Sequence, residues 1–317
     1  MNLQPNEAAR ELLSHDRFLI ITHKKPDGDT LGAAGALCSA LRRSGKVARL
    51  YRNPEVTEKY VGYVFPFFVE ETEPYMEEYV VSVDVSAEDM MAKGFSGSVN
   101  LCIDHHASNP MFGEINCVNA EKASCSEIIL EIIKEMSEII TPQEADMLYI
   151  GVSTDCGCFQ YGNTTSETHL AAAELIAFGA DVYELNRKLF AAASRARLAL
   201  EGIIYSGLES YHDGEVILSV LTRRMLEETG VQEDDLDSVA ALPGKVETAR
   251  LSAVIRELPD GFSKISVRTV KGIPANEICA AFGGGGHPQA SGCTIREKPE
   301  KARQMLLDVI DKLWNRF

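Results

Sequence analysis

Short apolar runs alternate with a helical pattern over the first half of the chain. The runs at 17–22, 47–51, 78–84 and 99–104 are bounded by polar or turn-forming residues, and such short runs are typical of strands buried on both faces. Between the first two, residues 30–45 place apolar side chains at helical spacing. This β-α-β rhythm predicts an α/β fold with a parallel sheet.

Two further helices have capping signals at their starts. Ser124 and Glu127 precede "IILEIIKEM", and Thr141, Pro142 and Glu144 precede "ADMLYIGV". Each set has the spacing of a capping box, in which the first side chain and the third helical residue satisfy each other's backbone amides. Both helices are therefore predicted to start at these residues.

The second half of the chain shows a different pattern of predicted helices and strands. An alanine-rich stretch at 189–210 predicts a connecting helix, and the acidic run at 232–237 predicts a solvated loop. Strands follow near 215–221, 249–257 and 263–269, and a terminal helix starts at about 299. We therefore predict a first domain over 1–188, a linker over 189–210 and a smaller, mixed-sheet α/β domain over 211–317.

Composition narrows the class of protein. The 317 residues are 45% hydrophobic and 25% charged, as in an ordinary globular protein, and the formal net charge is −16. Binding of a long duplex relies on many lysine and arginine contacts to phosphate, so this charge argues against it. Binding of small anions is compatible with this net charge where a metal, a helix N-terminus or a few arginines supply local positive charge.

Cysteine spacing and hydropathy bear on the compartment. The eight cysteines form no paired CxxC motifs, which favours reduced thiols. The chain lacks an apolar stretch of the ~18 residues that a membrane span needs, and its start is polar. These features predict a cytoplasmic protein without a membrane partner.

Carboxylates and imidazoles follow the predicted strands where each one ends. They are His23, Asp27 and Asp29 after the first strand, Asp84 and then Asp104, His105 and His106 after two later ones, and Asp155 after the helix that begins at 142. The carboxyl ends of parallel strands lie at one edge of a sheet, where ligands bind in open α/β folds. We therefore expect these side chains to converge.

So many carboxylates cannot share one pocket as free anions, because each raises the pKa of the others. Oxygen ligands mixed with imidazole, without thiolate, favour manganese or magnesium, and the set is large enough for two ions. Taken alone, Asp27 and Asp29 could be turn residues bonded to their own backbone, and His105 and His106 could be surface residues. Their coincidence at one sheet edge favours a metal site.

The second domain adds a candidate phosphate-binding region. Four glycines precede His287 in "GGGGH" at 283–287, and glycine lets backbone amides approach a ligand closely. Arg268 lies on a predicted strand and could bind phosphate through two parallel bonds. A flexible loop and an exposed surface arginine are the alternatives.

These motifs resemble those of the DHH phosphoesterase family over nearly the whole chain. The resemblance rests on "HKKPDGDTLG" (23–32), the strand-ending Asp84, "DHH" (104–106), "GVSTDCGCF" (151–159) and "GGGGH". In size and domain order the chain is similar to the nanoRNase and pAp phosphatase branch, bacterial enzymes that degrade very short oligonucleotides and 3′,5′-phosphoadenosine.

The resemblance implies an active site in the cleft between the two domains, with two Mn²⁺ ions for which Mg²⁺ could substitute. The implied ligands are His23, Asp27 and Asp84 for one ion, and Asp29, Asp84, His105 and Asp155 for the other. His106 would contact the scissile phosphate and Asp104 would orient the imidazoles. The residues implied to hold a terminal phosphate are Arg268, Gly285, Gly286 and His287.

The implied substrates are short single-stranded RNA or DNA oligonucleotides, or small nucleotides such as pAp, but not long duplexes; a homodimer is left open. Ala33 stands where the family often has serine, and Gln160 stands where it often has arginine. Both departures could alter substrate preference. A manganese-dependent inorganic pyrophosphatase or polyphosphatase is an alternative, against which "GGGGH" argues. A non-catalytic nucleotide sensor is another, against which the complete ligand set argues.

Overall fold

A computed structural model describes residues 1–69, 78–232, 236, 239–314 and 316. The chain divides into two compact units, Met1–Ala192 and Ala193–Phe317, and the division falls inside the predicted linker. Most of the acidic run at 232–237 lies outside the described residues. Within the described ranges, none of the helices combines the length and the apolar character that crossing a bilayer requires.

The first unit contains a five-stranded sheet in which every pair of neighbours is parallel. Its strands are β1 (Arg17–Ile21), β2 (Val47–Leu50), β3 (Tyr79–Val83), β4 (Leu101–Asp104) and β5 (Ile115–Val118), in the order β2-β1-β3-β4-β5. The predicted parallel α/β fold is confirmed. The strand order changes direction between β1 and β3, and ligands bind beyond the carboxyl ends of the strands at such a point.

Seven helices of the first unit are described. They are α1 (Pro5–Leu13), α2 (Gly28–Arg43), α3 (Glu58–Val64), α4 (Cys125–Met136), α5 (Pro142–Asp155), α6 (Ser166–Ala177) and α7 (Val182–Asn186). Thr141 and Glu144 form the predicted capping box of α5. At the start of α4, the Ser124 side chain accepts a hydrogen bond from the Glu127 amide. Both predicted helix starts are correct.

Helices α2 and α5 pack unusually closely because glycines lie at their contact. A Cβ atom on Gly32 would lie 2.1 Å from the carbonyl oxygen of Met147, and one on Gly28 would lie 2.4 Å from Oγ1 of Thr154. Real Cβ atoms essentially never lie within 3.0 Å of such an atom, so glycine at these positions lets the two helices approach each other closely. As a result the start of α2 lies against the end of α5.

The second unit contains a six-stranded mixed sheet. Its strands are β6 (Glu209–Tyr211), β7 (Val216–Leu221), β8 (Leu251–Glu257), β9 (Ser263–Thr269), β10 (Gly285–His287) and β11 (Ala290–Ile295), in the order β10-β11-β9-β8-β7-β6. Only β7 and β8 pair in parallel among these neighbours. The described helices are α8 (Arg195–Ser206), α9 (Arg223–Thr229), α10 (Ala275–Ala280) and α11 (Pro299–Trp314).

The two faces of this sheet are covered differently. One face forms the main core of the unit with α10 and α11, for example through Val267 and Leu306. The other face packs against α8 at the β7–β8 side, through Leu200 and Val254. Lys264 and Thr294, on β9 and β11, are exposed on that second face.

The connecting helix is shorter than the predicted 189–210. Residues 187–191 form a π-helical turn that follows α7, and Ala192 and Ser194 are extended. The side chain of Ser194 then caps α8 by accepting a hydrogen bond from the Arg197 amide at 2.9 Å. An alanine-rich composition favours helix, but the serine cap starts a new helix here.

Candidate metal centre

Asp27 lies at the N-cap of α2, at the end of the loop that follows β1. Its Oδ1 atom accepts hydrogen bonds from the amides of Asp29 and Thr30 at 3.0 and 3.2 Å. The turn role that the sequence leaves open is therefore present. The same oxygen lies 3.5 Å from Nε2 of His23, so the turn holds this carboxylate beside the imidazole.

Asp29 is fully buried in the first turn of α2. Its two oxygens accept hydrogen bonds from the first amides of α4, those of Cys125 at 2.6 Å and Ser126 at 2.9 Å. A helix N-terminus presents unpaired amides and a partial positive charge, both of which hold a carboxylate. Oδ2 of Asp29 also lies 3.9 Å from Nε2 of His105.

Asp84 lies between two imidazoles. It follows β3 with a left-handed φ of 59°, and its side chain is 3% exposed. Oδ2 lies 3.5 Å from Nε2 of His23, and Oδ1 lies 3.4 Å from Nε2 of His105. Oδ1 has no hydrogen-bond partner among the described residues, although a buried acceptor without a donor is costly.

Backbone carbonyls fix the orientation of both imidazoles. Nδ1 of His23 lies 2.7 Å from the Lys24 carbonyl oxygen, and Nδ1 of His105 lies 3.2 Å from that of Lys122. A carbonyl only accepts hydrogen bonds, so Nδ1 must carry the hydrogen in each ring. In the neutral ring, the Nε2 lone pair then faces the carboxylates, which is the arrangement of a metal-ligating histidine.

The carboxylates make both rings strongly basic. Burial acts to lower the pKa of His23, but the nearby carboxylates of Asp27 and Asp84 outweigh burial and raise the pKa to about 11. Burial likewise opposes the charged form of His105, yet Asp84, Asp29 and Asp155 raise its pKa to about 10. The ring of carboxylates therefore attracts positive charge to the space in front of the Nε2 atoms.

Asp155 is the last residue of α5 and closes the ring of carboxylates. Its Oδ2 atom lies 3.5 Å from Nε2 of His105. Burial raises the pKa of Asp155 to about 7, with a further increase from Asp84 and a partial offset by His105. A carboxyl group that is hard to ionise beside other carboxylates is stabilised as an anion when a cation binds between them.

Asp104 and His106 form a pair beside this ring. Asp104 is fully buried, and its Oδ1 accepts from the His105 amide at 2.8 Å and lies 2.7 Å from Nδ1 of His106. Its Oδ2 accepts from Nδ2 of Asn109 at 2.6 Å. The hydrogen bond to Asp104 raises the pKa of His106 despite the opposing effect of burial, so the pair holds the His106 ring in a defined orientation.

The six predicted metal ligands come together in this structure. Three groups have ligand atoms within 4.8 Å of one another and could hold a metal ion. They are His23, Asp27 and Asp84; Asp29, His105 and Asp155; and Asp84, His105 and His106. The unsatisfied Oδ1 of Asp84 and the two inward-facing Nε2 atoms fit a cation that prefers mixed oxygen and nitrogen ligands.

Sequence reasoning missed the residues that support this ring. Asn109 holds Asp104, and the Asn53 side chain donates to the His23 carbonyl at 2.8 Å. A Cβ atom on Gly151 would lie 2.6 Å from Oδ1 of Asp29, so this glycine makes room for that carboxylate. Asn109 and Gly151 belong to the stretches "DHHASN" and "GVSTD", but only the fold shows what they contact.

The predicted phosphate-binding residues lie on one sheet of the second unit. His287 pairs with Ala290, and Ala290 pairs with Arg268 on the next strand. Directly paired residues point to one face, so Arg268 and His287 share a face about 10 Å apart, with a small side chain between them. Gly286 has φ 144°, and its added Cβ would lie 2.6 Å from the Ala290 carbonyl oxygen, whereas Gly285 is open to solvent.

Comparisons with known proteins identify two domains in the chain. The DHH family N-terminal domain matches residues 17–152, and the DHHA1 domain matches 213–315. The bifunctional oligoribonuclease and PAP phosphatase NrnA of Thermus thermophilus is 33% identical over 288 residues, covering 87% of this chain and 83% of the relative.

Two solved structures show the same fold. The crystal structure of an exopolyphosphatase-related protein from Bacteroides fragilis has a TM-score of 0.88 at 24% identity, covering 98% of this chain and 96% of that one. RecJ from Thermus thermophilus, solved in complex with Mn²⁺, has a TM-score of 0.54 at 14% identity, covering 99% of this chain and 54% of that one. The two domain matches and the 33% identity to NrnA show that the chain belongs to the DHH phosphoesterase family; it is a metal-dependent phosphoesterase in which a DHH domain precedes a DHHA1 domain.

Proposed function

We propose that the protein hydrolyses short oligonucleotides, pAp, or both, to mononucleotides with the help of two Mn²⁺ ions. The observation that best supports two ions is the position of Asp84, whose two oxygens face the Nε2 atoms of different histidines at 3.5 and 3.4 Å. A carboxylate placed in this way can bridge two cations, and Oδ1 accepts no hydrogen bond from the described residues. Mg²⁺ offers the same preference for oxygen ligands and is the alternative metal.

The two proposed ions share Asp84 and otherwise have different side chains. His23, Asp27 and Asp84 would hold the first ion, and the second would be held by Asp29, Asp84, His105 and Asp155. When bound, a pair of divalent cations activates water, polarises a phosphoryl oxygen and neutralises the leaving oxygen. The chain contributes the fixed orientation of the ligands, because backbone carbonyls hold both imidazoles and the N-terminus of α4 holds Asp29.

His106 is the residue we propose for contact with the scissile phosphate. Its Nδ1 is held by Asp104 at 2.7 Å, which leaves Nε2 for the substrate. Because Asp104 is buried and also bound to Asn109, it cannot rotate away from the ring. A protonated His106 would donate from Nε2 to a phosphoryl oxygen, and Asp104 would stabilise its charge.

The substrate class is inferred from the second domain and from the relatives. The related NrnA is named as an oligoribonuclease and PAP phosphatase, and oligoribonucleotides and PAP both contain phosphate bonded to a nucleoside. Arg268 and His287, on one face of the sheet, would bind such a terminal phosphate, with the amides of Gly285 and Gly286 beside them. The net charge of −16 disfavours long duplexes.

A pyrophosphatase or polyphosphatase remains the competing proposal, because such substrates also present phosphate to a pair of cations. The DHHA1 match over 213–315 favours nucleotides over inorganic phosphates. The test is a panel of pAp, pApA, pyrophosphate, polyphosphate and a long DNA duplex, each with Mn²⁺ and with EDTA.

We expect turnover of pAp or pApA with Mn²⁺, loss of that turnover in EDTA, and low rates on the other three substrates. Hydrolysis of pyrophosphate or polyphosphate at rates well above those for both nucleotides would contradict the proposed substrate class. Hydrolysis of the duplex as fast as pApA would contradict the proposed preference for short substrates.

A further inference from the structure

Asn163 lies in the loop that follows α5, eight residues after the candidate ligand Asp155. Its side-chain amide carries two N–H donors, and two backbone carbonyls lie within their reach. Nδ2 donates to the Asp155 oxygen at 3.2 Å and to the Ala123 oxygen at 3.2 Å. One side chain therefore joins the end of α5 to the segment that precedes α4.

A left-handed turn brings the loop back to the end of α5. Three consecutive residues have φ values of 57°, 54° and 63°, namely Gly157, Cys158 and Phe159. A positive φ is strained for the two that are not glycine, and strained backbone clusters at functional sites. The Tyr161 amide closes the turn by donating to the Cys156 carbonyl at 3.1 Å. As a result of this turn, Asn163 lies close enough to α5 to bond to its last carbonyl.

The Ala123 end of this link supports two candidate metal ligands. Ala123 directly follows Lys122, whose carbonyl oxygen lies 3.2 Å from Nδ1 of His105. It directly precedes Ser124, the N-cap of α4, and the first amides of α4 hold both oxygens of Asp29. A shift of Ala123 would therefore move the supports of His105 and Asp29 together.

The Asp155 end supports a third ligand. Asp155 is the last residue of α5, and the carbonyls at the end of a helix have no partner inside that helix. By bonding to this carbonyl, Asn163 fixes the backbone from which the carboxylate extends toward His105, 3.5 Å from its Nε2 atom. We call Asp29, His105 and Asp155 the second group. Asn163 is bonded next to the support of each of its members.

The remaining ligands are held in other ways. We call His23, Asp27 and Asp84 the first group. The Lys24 carbonyl orients His23, and Asp27 is held by the first amides of α2. The two carbonyls bonded to Asn163 belong to neither of these supports. Loss of the Asn163 side chain is therefore expected to affect the two groups unequally.

Ion pairs of Lys122 are a second attachment of the segment before α4. Its Nζ atom lies 2.6 Å from Oε1 of Glu131 and 2.9 Å from Oε2 of Glu167. The two glutamate side chains are 42% and 66% exposed, and ion pairs at such positions stabilise a protein only weakly. Asn163 bonds to the backbone itself, so it restrains the position of the Lys122 carbonyl more directly.

We propose that Asn163 is a positioning residue that controls the affinity of the second group for its Mn²⁺ ion and does not act on the first group. This inference rests on the proposed function, which includes two bound ions. The side chain holds the Asp155 and Ala123 carbonyls at a fixed separation, and the three ligands of the second group keep their spacing for the same reason.

Binding of Mn²⁺ to the metal-free protein, measured by isothermal titration calorimetry, tests the proposal without turnover. Asp27→Asn weakens the first group and keeps a good N-cap residue, whereas His105→Gln weakens the second group. The tighter ion that remains is therefore known in each background. Adding Asn163→Ala should lower its affinity about 10-fold or more in the Asp27→Asn background, and should leave it within about twofold in the His105→Gln background.

Two other variants are controls. Asn163→Leu keeps a side chain of similar branched shape without a donor, so it should match Asn163→Ala in both backgrounds. Asn186→Ala removes a donor at the same distance, 3.2 Å from Oη of Tyr149, and should leave Mn²⁺ binding unchanged. Circular dichroism verifies that each variant is folded.

Equal losses of affinity in the two backgrounds would show a general structural effect of Asn163. An unchanged affinity in the Asp27→Asn background would show that Asn163 does not hold the second group. Either result overturns the proposal. If the wild-type protein binds fewer than two Mn²⁺ ions at saturation, the proposed two-ion function itself is overturned.

Discussion

Replacing Gly151 with alanine should damage both the fold and the metal centre. Gly151 lies inside α5, where alanine ordinarily stabilises a helix by about 1 kcal/mol relative to glycine. Here an added Cβ would lie 1.9 Å from Oγ of Ser126 and 2.6 Å from Oδ1 of Asp29. Rotation of the Ser126 side chain would not relieve the contact, because its Cβ atom would also lie 2.8 Å from the added Cβ. Asp29 is held in place by the Ser126 amide.

The structure sets the expected magnitude. Overpacking of this kind costs about 1–3 kcal/mol, so after the gain in helix propensity the free energy of unfolding should fall by up to about 2 kcal/mol. Displacement of Asp29 should also lower metal affinity or activity about 10- to 100-fold, as for other changes in the support of metal ligands. Gly202 in α8 is the matched control, because a Cβ there would meet nothing within 4 Å, and Gly202→Ala should stabilise the protein.

The assay is urea unfolding in EDTA, which removes the contribution of bound metal, followed by hydrolysis of pApA with Mn²⁺. We expect the two alanine variants to change the free energy of unfolding in opposite directions, and only Gly151→Ala to lose activity. If Gly151→Ala is as stable as Gly202→Ala and fully active, then the close contact between α5 and Asp29 does not position the metal site.

Two further substitutions distinguish a residue that positions the site from a residue that stabilises the fold. Asn109→Ala removes the 2.6 Å hydrogen bond to Asp104. In steady-state kinetics, kcat for pApA should therefore fall at least tenfold with a small change in KM. An unchanged kcat would show that Asp104 does not need this donor. Thr141→Ala removes the side-chain cap of α5. This substitution should lower the free energy of unfolding by about 1 kcal/mol while kcat stays within twofold. A loss of kcat in the folded variant would show that the cap also positions the site.

Local signals predicted much of the first unit. The caps at Ser124 and Thr141 lie where the sequence places them, because the side chains that stop or start a helix act over three or four residues. Strand β5 escaped prediction because its four residues, with Asn116 at the second position, show neither a long apolar run nor alternation. It forms because β4 offers an edge with which it can pair.

The convergence of the candidate metal ligands could be predicted because parallel strands bring their carboxyl ends to one edge, so strand order alone gathers Asp27, Asp84 and His105. Their supports could not be predicted from local sequence. Asn109 and Gly151 act through contacts between segments far apart in the chain, and such contacts follow from packing. The predicted cleft between the two domains stays a prediction.

The central claim is that Asp84 bridges two cations, and the rate of pApA hydrolysis by Asp84→Asn at saturating Mn²⁺ tests it most directly. A bridging carboxylate supports several kcal/mol of transition-state stabilisation, so the account predicts a loss of about a thousandfold or more. The variant should stay folded by circular dichroism, and Asp89→Asn, which changes an exposed carboxylate outside the ligand groups, should keep its rate. An undiminished rate in folded Asp84→Asn would contradict the assignment of this residue as the bridge.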